Sequence, residues 1–506
     1  MTPRVSLGDT LVRNTVWYGL VTVLGLGVGL AMSVILARGL GPARMGDYSY
    51  LLWAERTFSA LATLGFALAT VRYTADAFAR GNAPLAWGFV RFFLRRQVVS
   101  TSVVMAAALP LVLWAAPPEL RWPFGVVVLA LFPLTLENVY TNALYGAQRY
   151  DLTARNSTLK MTLQLLAATA AVVLGAGILG IVVGMVAGTV VSLVLQRRRV
   201  RTLYPSAERG DVPAAMMPEL RGFLVPLSVV VILDALVWDR SEVFFLRLYA
   251  SPHDIAFYSL AFGLTTRAMV LPEVAAGALL PALSTLHGRG AHADFGRVYR
   301  TALGYVALIG SPIAAIGAAL AYPLVTLLYG APYLPVAQLV GALAIISVVA
   351  AMRKVAWAAL RALGDRRHAL RAMWLSAALN VGCAAWLIPM YGTWGAVVAN
   401  SAAQLAAALW AFCALARAHG CRFPTGDIVR TAGAALAAFG VAWGLAPRSV
   451  ELPRMMAAGA GGLVVFLILA VVAGVLGHRE WAFLVDAARR MGVARPASIP
   501  ISGSGA

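Results

Sequence analysis

Charged side chains interrupt the longest apolar runs of this sequence. The basic ones are Arg56, Arg240, Arg267, Arg353 and Lys354; the acidic ones are Glu55, Glu137, Asp234, Asp239, Glu242 and Glu273. A charge at the centre of a membrane helix costs about 2.5–3.5 kcal/mol on insertion scales, so such residues pair with one another or line a wet cavity. Two kinds of chemistry use them. Arginine presents a planar fork of donors to an anionic group, most strongly where water is excluded. Arg56, Arg240 and Arg267 are candidates for holding an anionic substrate. A carboxylate that takes up a proton on one side and releases it on the other couples movement to an ion gradient. Glu55, Asp239 and Glu273 are candidates for that role. Glu242 lies three residues after Asp239, on the same helix face, and joins them as an ion-coupling or gate residue.

The elements that position these residues are membrane helices. The chain has 506 residues, 60% hydrophobic and only 12% charged, with a mean hydropathy of +0.79. A soluble domain averages about 25% charged residues. The apolar residues fall in runs of about 20 or more, the length that spans a bilayer. Counting them gives an all-α integral membrane protein of about fourteen transmembrane helices. The first runs from Asn14 to Ala37 and the seventh from Gly222 to Leu246. The second starts near Tyr48, the third near Val98, the fifth near Lys160 and the eighth near Ala256.

The net charge of +20 would fit a nucleic-acid binder, but its placement points elsewhere. With the N-terminus inside, most Lys and Arg fall in inside loops, such as 72–97 and 196–221. The outside loops hold only Arg38, Arg44, Arg121, Arg247, Arg448 and Arg454. This positive-inside pattern puts both termini in the cytoplasm. It assigns the basic charge to topology and anionic lipid, not to nucleic acid. Cys383, Cys413 and Cys421 form no CxxC and imply no disulfide framework. The first helix is too long for a signal-peptide core and is expected to remain. The end, GVARPASIPISGSGA, reads as a disordered tail.

A weak internal repeat organises the helices. GPARMGDYSYLL (41–52) aligns with SPHDIAFYSLAF (251–262), matching Pro42 to Pro252 and Tyr48-Ser49 to Tyr258-Ser259. GILGIVVG (177–184) aligns with GTWGAVVA (392–399). The matches lay helices 1–6 over helices 7–12 in the same orientation, a parallel repeat. Two pseudo-symmetric six-helix lobes then face each other across a central cavity, with two extra C-terminal helices. The divisions are an N-lobe at 1–200, a basic cytoplasmic linker at 201–221, a C-lobe at 222–418, the added pair at 419–477 and a cytoplasmic tail at 478–506. Gly25 with Gly29, and Gly184 with Gly188, are small-residue faces for close helix packing.

Depth sorts the charges. At 1.5 Å per residue, Glu55 and Arg56 lie roughly 10–12 Å inward from Tyr48, and Asp239, Arg240 and Glu242 roughly 6–11 Å from the outer end of helix 7. Adjacent residues on a helix do not face each other, so neither doublet pairs within itself. The two doublets stand at similar depth on facing lobes and read as an outer gate, with substrate contact and local ion pairing as the alternatives. Arg267 lies near the midplane with no acid in its own turn, which favours substrate contact. Arg353 and Lys354 are near the inner end of helix 10 and can snorkel. Glu137 shares a polar face with Asn138 and Asn142. The six histidines lie in or beside loops and read as solvated.

The stretch ILARGLGPARMGDYSYLLWAERTFSALATLGFALATVRYTAD resembles the opening of the polysaccharide flippases of the MOP superfamily, which also holds lipid II flippases and MATE drug exporters. Ala37, Arg38, Leu40, Gly41, Pro42, Gly46 and Tyr48, then Leu64, Gly65, Ala69 and Arg72, carry the match. DRSEVFFLRLYASPHDIAFYSLAF, PLVTLLYGAPYLPVAQLVGALAI and LIPMYGTWGAVVANSAAQ extend it over roughly residues 10–420. The resemblance implies a transporter whose substrate is an undecaprenyl-diphosphate-linked oligosaccharide, moved from the cytoplasmic to the periplasmic leaflet of the bacterial inner membrane by alternating access. The substrate's diphosphate would be the anion that Arg56, Arg240 and Arg267 meet. Membrane lipid and polysaccharide-assembly proteins are the other partners expected, around a monomer.

Three rival functions remain. A lipid II flippase shares the fold. A MATE-like drug or cation antiporter would want a smaller, net acidic cavity, against the basic residues in these spans. A membrane glycosyltransferase or polymerase would need a large outer loop, and the outer loops here are short. The only lysines are Lys160 and Lys354, and neither follows a glycine, so there is no phosphate-binding loop for ATP hydrolysis. The chain is expected not to be an enzyme and to need neither cofactor nor metal.

Overall fold

The computed structural model describes residues 7–203, 211–238, 241–277, 279–447 and 449–476. Among them the secondary structure is entirely helical. In chain order the helices are α1 (Leu7–Thr63), α2 (Phe66–Ala79), α3 (Ala83–Ala115), α4 (Arg121–Gly146), α5 (Tyr150–Val173) and α6 (Gly177–Leu203). Then come α7 (Met217–Trp238), α8 (Glu242–Tyr249), α9 (Pro252–Ala268), α10 (Val270–Gly277), α11 (Leu279–Gly288) and α12 (His292–Ala319). The remainder are α13 (Ala321–Tyr329), α14 (Pro335–Ala362), α15 (Arg366–Tyr391), α16 (Thr393–His419), α17 (Thr425–Leu445) and α18 (Leu452–Val472).

Among the described residues, twelve helical segments are long and apolar enough to cross a membrane. One of them, Val16–Thr63, is two passes. Gly41 breaks it with φ 73 and ψ 169, a conformation open to glycine, and Pro42 starts the second arm. α5, at 24 residues, is long enough to span but is too polar to be counted among the twelve. Together these give the fourteen passes expected. The fifth begins ten residues before the expected start at Lys160, because YDLTARNSTLK is helical despite its polarity. The third likewise starts at Ala83 rather than near Val98.

Small residues set the helix spacing within the N-lobe. A Cβ on Gly184 would meet Ala167 at 2.7 Å, and one on Gly188 would meet Gln164 at 2.8 Å, so α6 lies directly on α5. Gly25 faces Met161 of α5 at 3.3 Å, whereas Gly29 faces the Arg267 guanidinium of the other half at 3.6 Å. The two aligned repeat segments both open a helix with a proline in the first turn, Pro42 after Gly41 at positive φ and Pro252 after the extended Ser251. Their tyrosines, Tyr48 and Tyr258, are 2% and 0% exposed in one shared cluster.

That cluster determines the shape. It joins Leu36, Met45, Tyr48 and Ile181 to Val243, Leu246, Tyr258, Tyr329 and Tyr333, so the two halves share one core at the Gly41 end. Toward the opposite end, where Gly364 turns α14 into α15, the cores are separate. One holds Tyr73, Phe89, Phe93 and Tyr140, the other Leu283, Tyr299, Met352 and Leu360. Leu220 of α7 belongs to the first of these, while Val243 and Leu246 of α8 belong to the shared cluster. The seventh pass therefore straps one half to the other. α17 and α18 pack on α12 through Leu308, Ala434, Ala438 and Phe466.

Polar contacts reinforce the seal at the Gly41 end. Arg38 donates to the carbonyls of Leu327 and Leu328, which end α13 without helical partners. Tyr333 donates to the Ala37 carbonyl at 2.6 Å, and Arg247 pairs with Asp47 at 3.0 Å. Gly46 packs so tightly on the Pro252 carbonyl that an added Cβ would lie 1.7 Å from its oxygen. Gly46→Val is therefore expected to pry the halves apart. In a variant with the native cysteines replaced by serine, a cysteine at the buried Met45 position should label with a bulky thiol reagent several-fold faster when Gly46→Val is added. Equal labelling would show that the seam does not depend on this contact.

Candidate functional site

A cavity of about 570 Å³ opens among α9, α10, α14 and α16, with Arg56 of the second arm of α1 at its edge. The second arm of α1 contributes Arg56, α10 contributes Glu273, α14 contributes Arg353, Lys354, Trp357 and Arg361, and α16 contributes Asn400 and Gln404. Its lining is net basic, with four cationic side chains against one carboxylate. Lys354 and Glu273 form an ion pair at 2.6 Å across the cavity wall. Arg353 is 7% exposed, so it does not snorkel, and Lys354 is held by its acid rather than by the membrane surface. Both Arg353 and Arg361 sit over Trp357, with guanidinium carbons 5.9 and 5.8 Å from the ring centroid.

Arg267 lines a second space, which adjoins this cavity through Thr265, Met269 and Ser347. That space, about 410 Å³, is an apolar groove between the first arm of α1 and α9, α12, α13 and α14, lined by Leu26, Leu30, Ile313, Leu324 and Leu328. The Arg267 guanidinium reaches between Gly29 and Gly263, where an added Cβ would lie 3.6 and 3.3 Å from it. It is close enough to Arg56 and Tyr329 to feel their charge and dipole. Neither Arg56 nor Arg267 forms an ion pair among the described residues. Arg56 is exposed to the cavity and Arg267 is half-buried, and two like charges near each other without a carboxylate partner are a place for an anion.

Glu55 and Arg56 lie deeper than their distance from Tyr48 implied. The second arm of α1 begins at Pro42, not near Tyr48, so Glu55 is about 20 Å along it. The charged neighbours of Glu55 are Arg56 and Lys160. The contacts that close the Gly41 end are those of Arg38, Asp47, Arg247 and Tyr333, and Glu55 is not among them. Asp239 and Arg240 lie outside the described residues. Glu242 is fully buried at the start of α8 and pairs with no cation among the described residues. Asn380 of α15 and Asn400 of α16 both donate to its Oε1, at 2.6 and 3.0 Å, and Ser241 donates to Asn380 at 2.7 Å.

Lys160 was absent from the charges assigned to spans, because the polar start of α5 hid the helix that carries it. It pairs with Glu137 at 2.5 Å, and Ser192 of α6 donates to the same carboxylate. The signal was legible at a period of four. Asn156, Lys160 and Gln164 fall on one face of α5 and bond Ser192, Glu137 and the Met185 carbonyl. Two histidines also have partners. His368 and His419 both contact Asp365 Oδ2, at 2.7 and 2.8 Å. Burial would push the Asp365 carboxyl up, but hydrogen bonds from His419 and His368 outweigh it and hold it at about 2. Among the described residues no cluster of three or more His, Cys, Asp or Glu has metal-binding geometry.

The fold and the cavity define a multi-pass, all-helical membrane protein. The sequence profile of a family described as polysaccharide biosynthesis protein matches residues 35–338, more than half of the chain, and the protein belongs to that family. A profile described as lipid II flippase MurJ matches residues 258–453. No curated protein matches the sequence. The solved structure of lipid II flippase MurJ in an inward closed conformation superposes with a TM-score of 0.67 at 14% identity, covering 90% of this chain and 98% of that one. An inward-facing multidrug resistance MATE family transporter gives 0.65 at 17%, covering 76% and 93%. A MOP superfamily transporter from Pyrococcus furiosus gives 0.58 at 16%, covering 80% and 94%. At these identities the likeness is one of fold.

The Glu137–Lys160 pair yields a stability prediction. Both side chains are largely buried, at 9% and 19% exposure. Lys160→Met strands the carboxylate and is expected to destabilise the protein by about 3–5 kcal/mol. Glu137→Gln combined with Lys160→Met should recover most of that loss. Thermal unfolding in detergent, followed by circular dichroism, measures both, and a single variant as stable as the parent would show the pair to be inert.

Proposed function

We propose that this protein is a flippase that moves a polyprenyl-diphosphate-linked oligosaccharide across the bacterial cytoplasmic membrane by alternating access, for cell-surface polysaccharide assembly. The observation that carries this is the place of Arg267, between a basic cavity and an apolar side groove. A lipid-linked oligosaccharide has three parts with different needs. The diphosphate wants guanidinium donors, which Arg56 and Arg267 offer. The sugars want a polar space of several hundred Å³, such as the 570 Å³ cavity with Asn400 and Gln404. The isoprenoid chain wants an apolar groove beside the cavity, such as the one lined by Leu26, Leu30 and Ile313.

The positive-inside distribution supports placing the Gly41 end outside and the Gly364 end and both termini in the cytoplasm. In that orientation the shared core seals the outer side and the separate cores face inward, the state that receives substrate from the cytoplasmic leaflet. Glu242 is the coupling carboxylate in this reading, because it is buried, accepts hydrogen bonds from neutral amides, and pairs with no cation among the described residues. Glu273, held by Lys354, is a cavity-wall residue, and Glu55 answers to Lys160 within the N-terminal half. The basic lining argues against an exporter of cationic drugs. A lipid II flippase is the second reading, favoured by the MurJ profile over 258–453. It would use the same arginines for the same diphosphate.

Translocation of a fluorescent lipid-linked oligosaccharide in proteoliposomes tests the assignment. Removing a charge-assisted hydrogen bond weakens binding by about 1.5–3 kcal/mol. Arg267→Gln and Arg56→Gln should each therefore slow translocation at limiting substrate about tenfold or more. Wild-type rates in both would reject the diphosphate site. Lipid II supplied as a competitor separates the two readings by which head group is transported. Glu242→Gln should abolish the response to an imposed ion gradient while leaving downhill exchange, and a variant that still accumulates substrate against its gradient would remove Glu242 from coupling.

A further inference from the structure

A second cavity, sharing no lining residue with the central one, lies where the added helix pair meets α12. It has a volume of about 450 Å³ and is enclosed by the first half of α12, the turn into α17 and the residues just after α18. Arg297 and Arg300 of α12 and Arg422 of the turn line it, against one carboxylate, Asp427. Arg297 already holds Asp294 at 3.1 Å, and Asp427 lies 3.9 Å from Arg430. Arg300 and Arg422 form no ion pair among the described residues. The nearest acceptor for Arg300 is the Gly296 carbonyl of its own helix, at 3.4 Å. α17 begins beside them, with Pro424 at its cap offering no side-chain acceptor to the first turn. The helix dipole therefore adds to the positive potential.

The opposite wall of this cavity is the end of α18, at Gly474 and Val475. The last turns of α18 expose Ile468, Val471 and Val472 at 55, 54 and 78%, a surface that a bilayer protein presents to acyl chains. A lipid lying along that face would bring its head group to the arginines. Basic pockets between transmembrane helices hold anionic lipid head groups in this way. We propose that this pocket binds the phosphate of an anionic membrane lipid and so fastens the added pair, otherwise held by an apolar seam, to α12. The chemistry recognised is a phosphate group between Arg300 and Arg422, which a soluble phosphate shares. The inference does not depend on the transport reading.

Native mass spectrometry of the full chain, purified with mixed phosphatidylglycerol and phosphatidylcholine, tests it. Wild type should retain phosphatidylglycerol in preference, and the double variant Arg300→Gln/Arg422→Gln should retain about tenfold less. Arg80→Gln removes an exposed charge of another loop, where Arg80 is paired with Asp76, and should leave retention unchanged. A second arm adds millimolar inorganic phosphate. Lipid that is not displaced supports the head group as the ligand. Displacement, with thermal protection by phosphate that the double variant loses, supports the same pocket with a soluble phosphate as its ligand. No preference for phosphatidylglycerol and no phosphate protection in wild type would overturn the proposal without any variant. Equal retention by wild type and double variant, or an equal loss in Arg80→Gln, would also overturn it.

Discussion

A charge taken out of water must find an opposite charge, a set of dipoles or water, and this constraint orders the whole molecule. Three solutions coexist within a few helices of one another. Glu137 is neutralised by Lys160, and Glu273 by Lys354. Among the described residues Glu242 is met by dipoles, the amides of Asn380 and Asn400. Arg56 and Arg267 are left to the cavity and its margin. Paired charges give rigidity, since either partner alone is costly. A carboxylate among dipoles can change its proton or cation without breaking an ion pair. Arginines facing a cavity keep their donors free for something that arrives. The distribution separates the parts that hold shape from the parts that exchange.

The fold was legible because membrane helices are written in composition. Apolar runs of bilayer length specify the passes, and the two segments around Pro42 and Pro252 specify their symmetry. What failed at this level was hydropathy at polar helices. α5 opens with Asp151, Arg155, Asn156 and Lys160, so a count of apolar residues starts it too late. The helix is stable there because α1 and α6 cover it and Glu137 answers its lysine. Periodicity carried the information that hydropathy lost.

The site was legible in part. Residue type and depth singled out Arg56 and Arg267, and the structure brings both to the cavity region. Sequence distance misplaced Glu55, because the position of a helix start, not of the first apolar residue, sets depth. It also could not reveal that Asp47 and Arg247 would meet, since a pairing between residues so far apart depends on how the halves dock. The amides around Glu242 lay in the spans without a charge to attract notice. Polar neutral residues in membrane helices are weak signals one at a time and strong ones when two converge on a carboxylate.

The contact of Gly46 with the Pro252 carbonyl has a mechanical side. Its backbone surfaces touch with no side chain between them, and under the proposed alternating access it would be the fulcrum about which each half tilts. A bilayer-spanning lever is about 30 Å long. A rotation of about 10° at one end moves the other by about 5 Å, comparable to one helical turn. Because glycine presents no knob to lock into a hole, the pivot resists separation through packing but offers little friction to tilt. A bearing of this kind lets a small loss of contact at one membrane face become a wide mouth at the other.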